Sequence, residues 1–446
     1  MKTPLKSLPR TSLIMVLILG SLVNIARAET RPDLTGRVLE LDGTPVAKAT
    51  VFVYSAHPKQ GTSNFCPYCY ADCRKQARSD ANGEFKIESL DPTLSFRLLV
   101  VAGGHESQFV TRVDPTNGTP EVVLKPLTEE ALQSPLRIKG LVIDEAGQPV
   151  PGTVISPEGV GFGSSCRWGG NDDVVEPLAV AGDDGRFVLF YKTNAIDAIY
   201  AVAEGRGVAK QWVTFKPGGD YLVRLPAGVT LTGRILRDGQ PLADIQVAAN
   251  TKDRICGNYI DCDPVATDAA GRFQMLNVPP GREFLVCAKM NSLHGLGTLP
   301  DKLITTGTSA TVQDLGELAI QPAYTVSGRI VLSDGQSIPP DTRLFLGREN
   351  VADSLETKLE ADGRFEFKGV PAGTVSLSLR VPGYQLSHQN SSFDWLAGRI
   401  LGRVSGDVAN LNLLLEPGTW QPTSSDNRPA NAEENPAEKP LRGVKL

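Results

Sequence analysis

A chain of 446 residues with 45 Lys and Arg against 50 Asp and Glu has a formal net charge of -5. That charge is too small and too evenly spread to favour nucleic acid or an anionic membrane as partner. With 41% hydrophobic and 21% charged residues the composition is that of an ordinary globular chain, long enough for about two to four domains.

The chain opens with Lys2, Lys6 and Arg10, an apolar run from Leu13 to Ile25, and Ala26-Arg27-Ala28. A basic start, an apolar stretch shorter than a membrane span and a small-residue cleavage site spell a secretory signal peptide over residues 1–28. The expected location is secreted or periplasmic. No cysteine stands at the cleavage site to accept lipid and no later segment approaches span length, so the mature chain is not expected to be an integral membrane protein.

Beyond the leader one short pattern occurs four times. It reads Asp80-Ala81-Asn82-Gly83-Glu84-Phe85, Asp183-Asp184-Gly185-Arg186-Phe187, Asp268-Ala269-Ala270-Gly271-Arg272-Phe273 and Ala361-Asp362-Gly363-Arg364-Phe365. The glycine supplies the positive φ of a tight turn, Asp or Asn bonds nearby backbone, and the phenylalanine two residues on is the first core-facing side chain. A second signal precedes each turn: Gly36-Arg37-Val38, Gly140-Leu141-Val142, Gly233-Arg234-Ile235 and Gly328-Arg329-Ile330, each followed by a Gly-containing turn. These glycines stand 104, 93 and 95 residues apart. Units of that size bury their own cores, so the chain is a string of domains and not a solenoid.

Within a unit the hydrophobic pattern has period two, the mark of half-buried strands. In the first, strands are expected at 36–41 and 49–54, then at 76–79 and 83–87 as a hairpin around the Asp-Gly turn, then at 96–101, 108–113 and 121–124. Thr128 to Leu132 reads as a short helical linker. Short strands between Gly, Pro and Asp turns predict an all-β chain of four tandem antiparallel β-sandwich domains with Greek-key connections. The expected domains are 29–127, 134–227, 228–322 and 323–417, with a disordered Pro/Asn/Glu-rich tail at 418–446.

The paired motifs resemble the carboxypeptidase regulatory-like domain over roughly residues 34 to 417. That resemblance implies a transthyretin-like sandwich, akin to collagen-adhesin B-type repeats and grouped with starch-binding-like carbohydrate-binding folds. It brings no catalytic residue with it. The peptidases that carry this module use a separate zinc domain with a His-x-x-Glu pair, and none of His57, His105, His294 and His388 is followed by Glu three residues later. The adhesin Lys-Asn cross-link is not expected either, because Arg37, Leu141, Arg234 and Arg329 occupy the comparable early position of the first strands.

Chemistry, if present, belongs to the long loops before the Asp-Gly turns. They hold Cys66, Cys69 and Cys73 in the first unit, Cys166 in the second, and Cys256 and Cys262 in the third, leaving Cys287 in an apolar strand. In an oxidising compartment the first reading is disulfides, with Cys256–Cys262 the simplest pair. Metal binding by Cys66, Cys69 and Cys73 with His57, or a redox role, is the rival. Tyr68, Tyr70, Trp168 and Tyr259 lie in the same loops beside Asp72, Asp172 and other acids, which suits either sugar stacking or packing over the loops. Calcium lacks a complete D-x-D-x-D-G loop, and no Gly-x-Ser-x-Gly, P-loop or zinc-protease pattern occurs. The sequence therefore points to a non-enzymatic adhesion, scaffold or cell-envelope protein without a cofactor. Its expected partner is an envelope or extracellular polysaccharide or protein; carbohydrate binding through the loops is the alternative.

Overall fold

The computed structural model describes residues 31–61, 67–68, 70–117, 120–168, 172–205, 211–252, 261–394 and 398–418. The leader, all but Gly418 of the tail, and Cys66, Cys69, Cys256 and Tyr259 lie outside the described residues. No helix among the described residues is long and apolar enough to cross a membrane.

The first stretch holds β1 (Leu34–Glu40), β2 (Thr50–Pro58), β3 (Gln76–Arg78), β4 (Glu84–Ile87), β5 (Leu94–Val101), β6 (Gln108–Val113) and β7 (Glu121–Leu124). They form two sheets, ordered β4-β1-β7 and β3-β2-β5-β6. Between the sheets lies one buried cluster with Val38, Val51, Phe85, Phe96 and Leu98. A short helix, α1 (Glu129–Gln133), follows, capped by the Thr128 hydroxyl, which accepts from the Ala131 N–H at 3.2 Å.

The next stretch carries β8 (Arg137–Ile143), β9 (Val154–Phe162), β10 (Ser165–Trp168), β11 (Ala179–Val180), β12 (Arg186–Phe190), β13 (Ala198–Glu204), β14 (Gln211–Phe215) and β15 (Asp220–Arg224). Its sheets are β12-β8-β15 and β10-β9-β13-β14, with β11 also on β9. Then come β16 (Val229–Arg237), β17 (Gln240–Pro241), β18 (Gln246–Thr251), β19 (Asp261–Ala266), β20 (Arg272–Val278), β21 (Glu283–Ala288), α2 (Met290–Leu293), β22 (Lys302–Thr305) and β23 (Val312–Ala319). The last stretch has β24 (Tyr324–Leu332), β25 (Arg343–Arg348), β26 (Ser354–Lys358), β27 (Arg364–Val370), β28 (Gly373–Leu379), β29 (Tyr384–Leu386), β30 (Phe393–Asp394), β31 (Arg399–Val404) and β32 (Val408–Pro417). Each stretch again pairs two sheets around its own cluster of buried side chains. The chain is all-β, as its alternating pattern demands.

The two sequence motifs turn out to be one structure. Gly36 pairs across the sheet with Phe85, Gly140 with Phe187, Gly233 with Phe273 and Gly328 with Phe365. All four phenylalanines are buried. A Cβ on Gly36 would stand 2.2 Å from the Phe85 ring, so the bare glycine is what lets the aromatic lie flat across the first strand. The turn glycine is fixed from the same strand: Gly83 has φ 76°, and its carbonyl accepts from Val38 N–H at 2.8 Å. Arg37, Arg234 and Arg329 add a side-chain bond, their Nε donating to the carbonyls of Asn82, Ala270 and Asp362.

One expectation is corrected here. The strands flanking the Asp-Gly turn are not a hairpin, because β3 pairs with β2 while β4 pairs with β1. The turn is a corner that carries the chain from one sheet to the other, and strand–turn–strand patterning is the same for both. The local bonding also varies. Asp80 and Asp268 each accept two backbone N–H groups of their turn, whereas in the second and fourth copies Gly182 and Glu360 take that place. There Asp184 and Asp362 cap Arg186 and Arg364 N–H instead. Pairing is antiparallel except that the first strand of each stretch runs parallel to its last: β1 with β7, β8 with β15, β16 with β23, β24 with β32.

Among the described residues, apolar clusters pack successive sandwiches together at two junctions. Leu99 is buried against Val154 and Leu178, with Phe52, Val101 and Val180 around them. Beside this patch Ser107 Oγ donates to Glu176 at 3.0 Å, and the other Glu176 oxygen accepts from Phe190 N–H. Burial holds the Glu176 carboxyl above its usual range, against those two donors. A raised folded-state pKa favours the protonated form in the fold, so the contribution is full below the unfolded value near 4.5 and is lost as pH rises through the folded value. Glu176→Gln is therefore expected to exceed the parent in stability at neutral pH. The difference should vanish in denaturant melts run below pH 4.5.

Candidate interaction surface

The loop residues singled out in the sequence divide into buried supports and a surface. Asp72 belongs to the first group. It is only 2% exposed and binds Arg31 at 2.5 and 2.6 Å, Lys75 at 2.8 Å and the Asp91 N–H at 2.8 Å. An acid so fully engaged ties the loop to the sandwich. Tyr70 and Cys73 are half-buried against the first core. The Cys73 thiol donates to Pro67 O at 3.3 Å, and burial pushes its pKa up to about 12, so it is held as a thiol and not a thiolate.

Cys287 is fully buried at the junction between the third and fourth sandwiches, with Ala248 and Val351. Burial pushes its pKa up to about 12 as well. A maleimide is expected to label Cys287 only after denaturation, and peptide mapping of native and unfolded protein checks this. Cys166 is exposed on β10 and Cys262 is buried on β19.

Tyr68 and Asp172 are brought together with residues that the sequence did not single out. Tyr68 is exposed and meets the edge of Tyr54 at 5.3 Å, and Tyr54 in turn meets Phe109 at 5.1 Å. The Arg97 guanidinium lies 3.5 Å over the Phe109 ring and pairs with Asp172 of the next sandwich at 3.2 Å. Burial first, then the Asp172 charge, raises the Tyr54 hydroxyl pKa. The aromatic group therefore serves as packing beneath the junction and offers Tyr68 at its rim. Tyr54, Arg97 and Phe109 went unnoticed because they are outward positions of regular strands; the unbroken run Leu98-Leu99-Val100-Val101, apolar on both faces, was the available signal.

Trp168 sits on a strand and not in a loop. It pairs with Gly159 on β9, and Gly159 pairs on its other side with Tyr200 of β13. A Cβ on Gly159 would be 2.6 Å from the indole, so the ring crosses the bare glycine and reaches Tyr200 at 5.3 Å between centroids. The Trp168 side remains 41% exposed. Arg167 pairs with Asp173 beside it. The result is a pair of aromatic rings, tilted 40° to each other, on the outer face of a sheet, with charged groups beside it.

No family model and no curated protein matches this chain. Among solved structures it is similar to the Bacillus anthracis TIE protein at 10% identity, covering 86% of this chain and 73% of that one, with a TM-score of 0.17. A streptococcal ancillary pilin matches at 10% identity over 63% of this chain and 99% of its own, TM-score 0.21. GBS52, the minor pilin of Streptococcus agalactiae, matches at 11% over 44% and 100%, TM-score 0.21. At these scores the likeness carries no argument about what this chain does.

Proposed function

We propose that the chain is an extracytoplasmic, non-enzymatic scaffold or adhesion protein, built from four carboxypeptidase regulatory-like sandwiches at 29–127, 134–227, 228–322 and 323–417. The observation that carries this reading is the pair of packed junctions, where apolar clusters and ion pairs join one sandwich to the next. Sandwiches fastened in this way hold surfaces at fixed separations, which is what a scaffold needs. The partner class is an envelope or extracellular protein or polysaccharide.

A second reading, carbohydrate binding, is favoured by Trp168, because an exposed aromatic ring stacks on a sugar ring. The experiment is a polysaccharide and envelope-protein pull-down on the oxidised chain from residue 29, with ester, peptide and glycoside substrates assayed in parallel. Turnover that survives repurification would overturn the scaffold reading. Glycan retention that Trp168→Ala abolishes would install the carbohydrate one.

A further inference from the structure

The joints between successive sandwiches are not alike. Apolar clusters fasten the first sandwich to the second and the third to the fourth. Between the second and the third, no buried cluster among the described residues takes side chains from both. The chain passes there through Pro226, Ala227 and Gly228, and the joint is spanned by the exposed Glu145, which accepts from Ala227 N–H at 3.3 Å and from the Ser309 hydroxyl at 3.4 Å. A large apolar interface holds domains still, whereas a small polar one leaves them free to turn. The chain therefore consists of two stiff halves, first with second and third with fourth, on a short polar link.

The halves also touch away from the link, so the array closes on itself. Gly61, in the loop after β2, lies against Asp341, in the loop before β25. A Cβ on Gly61 would stand 2.1 Å from the Asp341 carbonyl oxygen, and Gly61 has φ 77°. Arg74, just before β3, pairs with Asp263 on β19 at 3.7 Å. Both contacts run from the first sandwich to the opposite half, and Gly61, Arg74 and Asp263 are all exposed.

Arg74 stands between two acidic walls. Asp263 and Asp261 bear on it from the third sandwich, and Glu204 and Glu158 from the second, within its own half. Burial alone would lower its pKa, but those four charges together hold it above the ordinary arginine value. Among the described residues the guanidinium is thus the positive charge between two walls of the same negative sign, and it offsets the repulsion that would otherwise hold them apart.

We propose that the chain is a hinged clamp: its two halves swing as rigid bodies about residues 226–228, and Arg74 holds them shut. A few residues at the link absorb the rotation. Opening separates Gly61 from Asp341 and bares the inner loops of both halves, while the four cores and the two apolar junctions stay intact. Exposed contacts of this kind are individually weak, so a partner that prefers the inner surfaces of the open form shifts the equilibrium with little differential affinity. The clamp stands whether the chain serves as a scaffold or binds a sugar.

The test is small-angle X-ray scattering on the oxidised chain from residue 29, in about 50 mM and about 1 M NaCl, which give long and short screening lengths. Arg74→Glu turns an attraction into a further repulsion. It is expected to raise the radius of gyration in low salt by about 5 Å or more, the size of a change from halves side by side to halves end to end. High salt should reverse most of that rise. Gly61→Asn keeps a residue that tolerates positive φ but drives its Cβ into Asp341, so it is expected to expand the chain in both salts. In either variant Cys287 should stay closed to maleimide, because the junction of the third and fourth sandwiches does not part. Circular dichroism checks that each variant folds. Radii equal to the parent's, an Arg74→Glu expansion that salt leaves unchanged, or labelling of Cys287 in a folded variant overturns the proposal. Should Arg74→Glu fail to fold, Gly61→Asn decides alone, and no expansion from it overturns the clamp.

Discussion

Gly36→Val is expected to destabilise the first sandwich by about 3 kcal/mol or more. The new Cβ would stand 2.2 Å from Phe85 Cζ and 2.9 Å from the carbonyl oxygen of Pro120. Neither neighbour can withdraw: Phe85 is buried on the paired strand, and the Pro120 carbonyl accepts from Arg37 N–H on the other side. The strand is gripped from both flanks, and any side chain larger than hydrogen must displace one of them. Shortening the ring frees only part of the space, so Phe85→Leu is expected to rescue Gly36→Val in part and to cost stability when made alone. The sign of that coupling, read in a double-mutant cycle from chemical denaturation, is the check. Additive losses would mean that glycine and ring do not share a site.

Arg348→Ala is expected to cost about 3–5 kcal/mol at the junction of the third and fourth sandwiches. The guanidinium is 7% exposed and pairs with Asp301 of one sandwich and, at 3.4 Å, with Asp353 of the other. Asp353 is 1% exposed there, and burial raises its pKa against the pull of Lys289 and Arg348. Removing the arginine leaves Asp353 in an apolar setting, with Met290 N–H and Lys289 as its remaining support. Arg348→Met combined with Asp353→Leu and Asp301→Asn removes the charges together and is expected to sit within about 1–2 kcal/mol of the parent. The separation between these variants in guanidinium midpoints distinguishes a broken ion cluster from a change in packing volume.

The repeating fold was legible because its two signals are local. Gly-Arg-Val marks a strand and Asp-x-x-Gly-x-Phe marks a turn, and the strands near them fall within a few residues of the expected positions. What joins to what was not legible. Alternation shows which face of a strand is buried but not which strand lies beside it, so the corner between β3 and β4 read as a hairpin. The parallel partner of β1, which lies more than eighty residues away, left no local mark. The anchoring role of Asp72 was hidden for a related reason: its partners Arg31 and Asp91 are distant in sequence. The setting of Trp168 depends on Gly159 and Tyr200, which only the sheet brings beside it. At the junctions the signal existed in two-sided apolar runs, which mark strands covered on both faces.

The parallel pairing of first and last strands has a mechanical consequence. Because β1 and β7 run the same way side by side, as do the other three pairs, each sandwich takes in the chain at one end and releases it at the other. Tension applied between neighbours pulls the two strands in opposite directions along their length. Their hydrogen bonds are then loaded all at once in shear and do not peel apart one by one, so a chain built this way resists stretching before any sandwich opens.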